Sequence, residues 1–549
     1  MERRDFIKIV VTGSLAGMAC GRLGPGGKGS GAGGDDQGPT RADLSPVQTR
    51  ESNAVCHAVR DGATIRLPKP GRHVPIVIAG GGPAGLCAAR FLGDRPYLLI
   101  EKENQVGGNG TGGFWRGVGY SSGASYNSNA DVKALATELG VAFYPIDSVD
   151  GMIVRDIYVP DFFTGGVRRA PYPQRVRDAF RRFVDTYHTF DPEKDLQRLD
   201  NLPFADILKD YPEEVTAFFD SFGPNNWGAR VADTSAYIGI EAAQWMGGLE
   251  SGRYAGEAGF GPLTQALGKS IMAKGADRLL TGAAVVRIEQ EKDRILVAYV
   301  PPGAALQGAA IPAGGSGPAT APAGGSIWEG PPLPLECVSA DTVIVAAPKF
   351  IAKHLVAGLP DEQKQAMASI RYEPYMVANL CFDGVVHEGC FDTNIPAPDV
   401  MSDFVCADWP ATHGKGDAER PTVLSCYMPQ RREDRALMLD ESEVRARALK
   451  ALDRIDRWFP GAAGRCREIQ VRLRGHPMHA SMMGMITRNG PLSRRSLGAI
   501  HFAGTDGIGG VSEFATAYES GRDAAALAIA SLDQGARKRA GQGAARRRA

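Results

Sequence analysis

Gly80-Gly81-Gly82-Pro83-Ala84-Gly85 sets three glycines in a G-x-G-x-x-G spacing, and an acid, Glu101, follows twenty-one residues after the first. Each glycine answers a separate need of a bound pyrophosphate. Gly80 permits a tight turn, Gly82 lets phosphate oxygens approach the backbone, and Gly85 lets a following helix close on the preceding strand. The start of that helix offers free N–H groups and the positive end of its dipole, which is the chemistry of dinucleotide binding. Glu101 stands at the spacing at which a carboxylate accepts hydrogen bonds from an adenosine ribose. The nine cysteines are scattered, without the Cys-x-x-Cys or Cys/His spacing of a zinc or iron–sulfur site, so no metal is expected.

The elements that must hold these residues can be read around them. Val74-Pro75-Ile76-Val77-Ile78-Ala79 is a continuous apolar, β-branched run, the pattern of a parallel strand buried on both faces. Leu86 to Leu92, with small Ala88 and Ala89, reads as the helix after the turn, and Tyr97 to Ile100 as a second strand ending at Glu101. At 549 residues the chain exceeds one typical domain. Its 62 basic and 62 acidic residues cancel, so no overall field favours nucleic acid, and a small-molecule substrate is expected instead.

The 69 glycines and 36 prolines are too many for packed elements alone. A Gly-rich stretch opens the segment 21–70, expected as a tether and N-terminal extension. Residues 301–335 are expected as a disordered insertion between two strand-like runs, Ala283 to Val300 and Cys337 to Ala347. Residues 534–549, rich in Arg and free of acids, are expected as a basic disordered tail. Arg3-Arg4 ahead of the short apolar run Ile9 to Ala19 predicts a signal peptide of the twin-arginine type over 1–20, hence a periplasmic protein exported after folding. Cys20 is a candidate for lipid attachment, a membrane tether.

Behind Glu101, Lys102-Glu103-Asn104-Gln105-Val106-Gly107-Gly108-Asn109 resembles the E-x(4,5)-GG extension of flavin amine oxidases, phytoene desaturases and their relatives. Ile500 to Asp506 followed by Ala517 to Ala525 resembles the carboxy-terminal flavin motif of that superfamily. Ala284 to Ile288 is similar to its adenine-contacting strand, and Asp341 to Pro348 to the strand and Pro turn that return to the cofactor domain. The four blocks span most of residues 74–530. The resemblance implies an α/β fold: a discontinuous Rossmann-like FAD-binding domain from 71–135, 265–350 and 498–533, and a substrate domain with a mixed sheet and helices from 136–264 and 351–497. It implies FAD contacts at Gly80, Gly82, Ala84, Gly85, Glu101, Lys102, Gly108, Asn109, Val285, Gly504, Thr505, Asp506, Glu513 and Phe514. The cofactor is expected to be noncovalent, because Cys426 lies too far before Ala503 to match the cysteine attachment site of the family.

The chemistry so implied is hydride transfer from an amine or other small organic substrate to flavin N5, with oxygen or an envelope redox partner taking the electrons. Two departures qualify it. Alignment puts Glu513 where relatives carry an aromatic wall, and Tyr375 to Phe382 lacks the lysine that relatives often bridge to N5 through water. These departures speak against a monoamine-oxidase mechanism. They leave polyamine-type or desaturase-like chemistry, a flavin-binding electron-transfer subunit without turnover, or a nonredox sugar mutase. The candidate catalytic residues are Glu513 as base or ammonium anchor, His476 as a proton carrier, and Tyr126, with Ser125, as cavity lining.

Overall fold

Ile76, Val77, Ile78 and Ala79 bury both faces of the strand Arg72–Ala79, and a seven-stranded sheet is built around it. The computed structural model describes residues 44–246, 252–304, 332–396, 400–412 and 417–548. Hydrogen-bonded order in this sheet is Leu279–Leu280, Tyr97–Ile100, Arg72–Ala79, Glu336–Val345, Arg294–Val300 and Ala284–Glu291, with Ile500–Phe502 also beside Glu336–Val345. The strands flanking Arg72–Ala79 run parallel to it, and Arg294–Val300 and Ala284–Glu291 are antiparallel additions at one side. Helix Pro83–Phe91 and the last helix, Phe514–Arg548, share one core on this sheet. They cross so closely at Gly521 that a Cβ there would stand 2.4 Å from the carbonyl oxygen of Ala84.

A second, eight-stranded mixed sheet runs in the order Val47–Arg50, Cys466–His479, Tyr372–Phe382, Thr422–Pro429, Asp403–Cys406, Asp392–Asn394, Gly151–Val154 and Ile157–Val159. Met376, Ala378, Leu380 and Phe404 pack with Val444, Ala448, Leu452 and Ile455 of helix Glu441–Trp458. Side chains alternate along a strand, so Tyr375, Val377, Asn379, Ser425 and Tyr427 point the opposite way. On that side Tyr375 donates a hydrogen bond to Asn225, at the end of helix Glu213–Asn226. Tyr126–Asn127, Tyr254–Ala255 and Tyr144–Pro145 form a small three-stranded sheet.

Three expectations need revision. Residues 534–548 are not a disordered tail: the backbone continues the last helix to Arg548, where alanines at 536, 540, 544 and 545 favour that conformation. The segment 21–70 is not a tether throughout, since Val47–Arg50 joins the second sheet and Ala54–Arg60 forms a helix packed on the first. Leu333 and Leu335, at the end of the expected insertion, are packed in the first sheet's core. Residues 305–331 of that insertion, and the signal segment with Cys20, lie outside the described residues.

Candidate active site

The glycine turn has the geometry that a phosphate needs. Gly80 adopts φ +112°, and a Cβ on Gly85 would lie 1.9 Å from the Gly80 carbonyl oxygen, so helix and strand meet without room for a methyl group. At Gly82 the nearest atom to such a Cβ is the Gly108 Cα at 3.9 Å, so the backbone there faces open space. That contrast, closed behind Gly85 and open before Gly82, fits a dinucleotide pyrophosphate. Ala84 is buried in the same turn.

Glu101 is buried at the strand end. Its carboxylate accepts hydrogen bonds from the Gly81 and Glu103 N–H groups at 2.6 and 2.9 Å, while burial pushes its pKa upward. The Ala283 N–H donates to the Glu101 carbonyl, so the strand carrying Val285 leaves beside the ribose acid. The Lys102 ammonium donates to the Ser52 carbonyl and to Glu103. Gly107 and Gly108, at φ +130° and +51°, make the second turn of the cradle. Asn109 donates to the Pro477 carbonyl, and the buried Arg474 donates to the Gly108 carbonyl at 3.1 Å and to Thr111 at 2.8 Å.

The carboxy-terminal block turns at Gly504, φ +137°, whose N–H donates to Ser520 on the last helix at 2.9 Å. The Thr505 hydroxyl lies 3.1 Å from that of Ser512 and 3.5 Å from His479 Nδ1. The Asp506 side chain is held by the protein itself. One carboxylate oxygen accepts from the Lys349 ammonium at 2.7 Å, and the other from the Lys349 N–H at 2.7 Å and the Tyr372 hydroxyl at 2.5 Å. Lys349 is fully buried, and its charge and hydrogen bonds hold the Asp506 pKa low despite burial. The carboxylate thus ties helix Lys349–Leu355 to the turn.

His476 lies against helix Lys349–Leu355. Its ring stacks on Phe350 at 4.4 Å, and burial together with Arg435, His57, Arg60 and Arg432 pushes its pKa down to about 3. It stays neutral, stacked on the residue next to Lys349. His479 takes the place beside Thr505, buried, with Nε2 at 2.9 Å from the Gly510 carbonyl. Both histidines were visible in the sequence; only the fold shows that His479 is the one beside Thr505.

Tyr126 is half-buried, edge-on to Phe391 with ring centroids 5.8 Å apart and with the Arg253 guanidinium 5.4 Å from its ring centre. Burial raises its phenol pKa far above the usual value, so it stays neutral. Ser125 bonds the Tyr427 hydroxyl. Glu513 precedes the last helix, and Phe514 after it stacks on Phe260 at 4.6 Å. Glu513 has exposed side-chain surface, yet desolvation and then the Glu519 charge push its carboxyl up to about 7, against the lowering effect of Thr516. A solvated acid at a helix start would shift the other way.

A parallel-sheet phosphate cradle joined to a second turn at the start of a closing helix defines a flavin-dependent oxidoreductase. The chain belongs to the flavin containing amine oxidoreductase family, which matches residues 83–529, and it is an FAD-dependent enzyme. A putrescine oxidase solved with putrescine is 18% identical, covering 83% of this chain and 99% of its own, with a TM-score of 0.61. Cyclohexylamine oxidase from Brevibacterium oxydans is 17% identical over 84% of this chain and 99% of its own, with a TM-score of 0.60. At these identities the likeness speaks for the fold. Oxidoreductase PigB from a Serratia species is 27% identical over 205 residues, 36% of this chain. The matched part spans 30% of the length of that relative.

Proposed function

We propose that the protein is an exported amine oxidase that removes a hydride from the carbon beside a substrate nitrogen. The observation that carries this reading is Glu513: a carboxyl pushed up to about 7, directly before the last helix, which follows the carboxy-terminal cofactor motif. Gly80 to Gly85 and Gly108 would hold the pyrophosphate of FAD, Glu101 the ribose, and the backbone at Val285 the adenine. When bound, FAD supplies the hydride acceptor. The side chains do the rest. A substrate amine arrives as an ammonium and must lose a proton before it can release a hydride, and Glu513 is the base at the right pKa to take it. Tyr126, held neutral, shapes the wall. Cys426 pairs with Ala378 and Phe404, on the side of the sheet that faces helix Glu441–Trp458, which favours a noncovalent cofactor.

The amines named for the putrescine and cyclohexylamine oxidases supply the substrate class. Anaerobic mixing of the purified flavoprotein with mono-, di- and polyamines is expected to bleach the flavin band. A band that none of them bleaches would sink the proposal in favour of an electron-transfer subunit. The twin-arginine segment supports export, with Cys20 as the lipid site. Cell fractionation after Arg3→Lys and Arg4→Lys is expected to find the protein retained in the cytoplasm, and unchanged export would refute that route.

A further inference from the structure

Three parallel strands end side by side at one edge of the first sheet, where Val345 is paired with Ala79 on one side and with Phe502 on the other. The turn at Gly80 follows Ala79 directly, and the turn at Gly504 comes two residues after Phe502. Between them the middle strand runs on through Pro348 into helix Lys349–Leu355, so Lys349 leaves the sheet between the two cofactor turns. At about 4.8 Å per strand, the strands that carry those turns are about 10 Å apart. The crevice outside the carboxyl ends of such strands is where a dinucleotide binds.

Lys349 and Asp506 are 0% and 4% exposed. The ammonium bridges both sides of Gly504, donating to the Ala503 carbonyl at 3.2 Å and to the Asp506 carboxylate at 2.7 Å. A Cβ on Gly504 would stand 2.7 Å from that carboxylate and 3.3 Å from the ammonium, so the pair lies directly against the turn. The second sheet holds the same turn through Tyr372 and His479, which are partners across its ladder. The Tyr372 hydroxyl donates to Asp506, and His479, kept neutral by burial, lies beside the Gly510 carbonyl and the Thr505 hydroxyl. Arg494 presents aliphatic carbons to Gly507. Lys349 is therefore the one cation that bonds Asp506 among the described residues.

Hydrogen bonds alone do not explain a buried ammonium here. One Asp506 oxygen is already satisfied by the Tyr372 hydroxyl and the Lys349 N–H, both neutral donors. What the ammonium adds is cancellation of a negative charge beside a site for an anion. Two like charges about 10 Å apart near a protein surface repel enough to weaken binding by about tenfold.

We propose that Lys349 is a positioning residue for FAD, cancelling the Asp506 carboxylate so that the turn after Gly504 can accept the cofactor diphosphate. This rests on the use of FAD, which family membership shows, and is independent of the substrate.

Release of FAD from the full-length holoenzyme, followed by flavin fluorescence after dilution, tests this. Lys349→Met is expected to release FAD about tenfold or more faster than wild type at pH 8.5. The carboxyl group it strands is buried and takes up a proton as pH falls, so release should return toward the wild-type rate at pH 5.5. Asp506→Asn removes the anion instead, and is expected to release FAD no faster than wild type at either pH. The double variant should behave like Asp506→Asn. A merely structural pair predicts faster release from both single variants, no dependence on pH, and no rescue in the double variant. That pattern overturns the proposal, as does wild-type release from Lys349→Met at pH 8.5. Should Lys349→Met fail to fold, the double variant decides: a wild-type rate supports charge cancellation, and faster release overturns it.

Discussion

At the scale of one residue, Glu513 makes the sharpest claim. Its carboxyl ionises at about 7 in the folded chain, against 4.5 for the free side chain. An ammonium is held by the ionised form, so amine binding should strengthen as pH rises through 7. Glu513→Gln keeps the shape and removes the charge. It is expected to raise KM for cationic amines by about tenfold to a hundredfold, the worth of a hydrogen bond to a charged group, and to abolish the rise with pH. Flavin content should stay unchanged, because the phosphates are held at Gly80 to Gly85. Stability moves the other way. Between 4.5 and 7 the folded state binds more proton than the unfolded one, so the contribution present below 4.5 is lost as pH rises through 7. The glutamine variant should therefore melt with wild type at pH 4 and above it at pH 8 in scanning calorimetry. A variant with wild-type KM at every pH would return Glu513 to a structural role.

At the scale of elements, the strand-turn-helix at Arg72 to Phe91 separates folding from binding at neighbouring glycines. Gly85→Ala places a methyl group 1.9 Å from the Gly80 carbonyl oxygen and 3.2 Å from the Ala346 Cβ, and is expected to lower stability by about 1–3 kcal/mol or more. Gly82→Ala meets nothing nearer than 3.9 Å, so the cofactor-free protein should melt as wild type does while losing flavin. Absorbance and melting of both variants check this, and equal damage to folding in the two would refute it. This turn was readable because all its constraints lie within a few residues of one another. Asp506 was not. Its partners Lys349 and Tyr372 are more than a hundred residues away, and only the folded chain brings them to the carboxylate. His476 and His479 fail for a similar reason: the ladder is irregular between Arg474 and Met478, and sequence alone does not say which ring meets the Thr505 turn. The basic end of the chain misled through its charge, while the helix it extends is favoured by its alanines.

At the scale of the whole molecule, the segment 47–60 joins the two sheets, a role that its place after a Gly-rich stretch conceals. Val47–Arg50 pairs in parallel with Gln470 to Leu473 at the edge of the second sheet. Glu51 then reaches within 3.6 Å of Arg474, and the Ser52 N–H donates to Glu103 beside the ribose acid at 2.8 Å. Ala58 and Val59, on the next helix, enter the core of the first sheet. Arg474 is nearly fully buried, and burial pushes its pKa down to about 10, with Glu51 opposing the fall. The segment therefore supports the same guanidinium that fixes Gly108. Removing residues 47–52 while keeping the helix should cost about 2–4 kcal/mol in urea unfolding, the sum of a short ladder at about 0.5–1.5 kcal/mol per hydrogen bond less what water restores. Flavin should also dissociate faster, because the Gly108 turn loses its braced support. Glu51→Gln should reproduce the faster flavin loss with little of the stability loss, since it removes the counter-charge and leaves the ladder. A deletion that unfolds and releases flavin like wild type would show the segment to be an ornament of the second sheet alone.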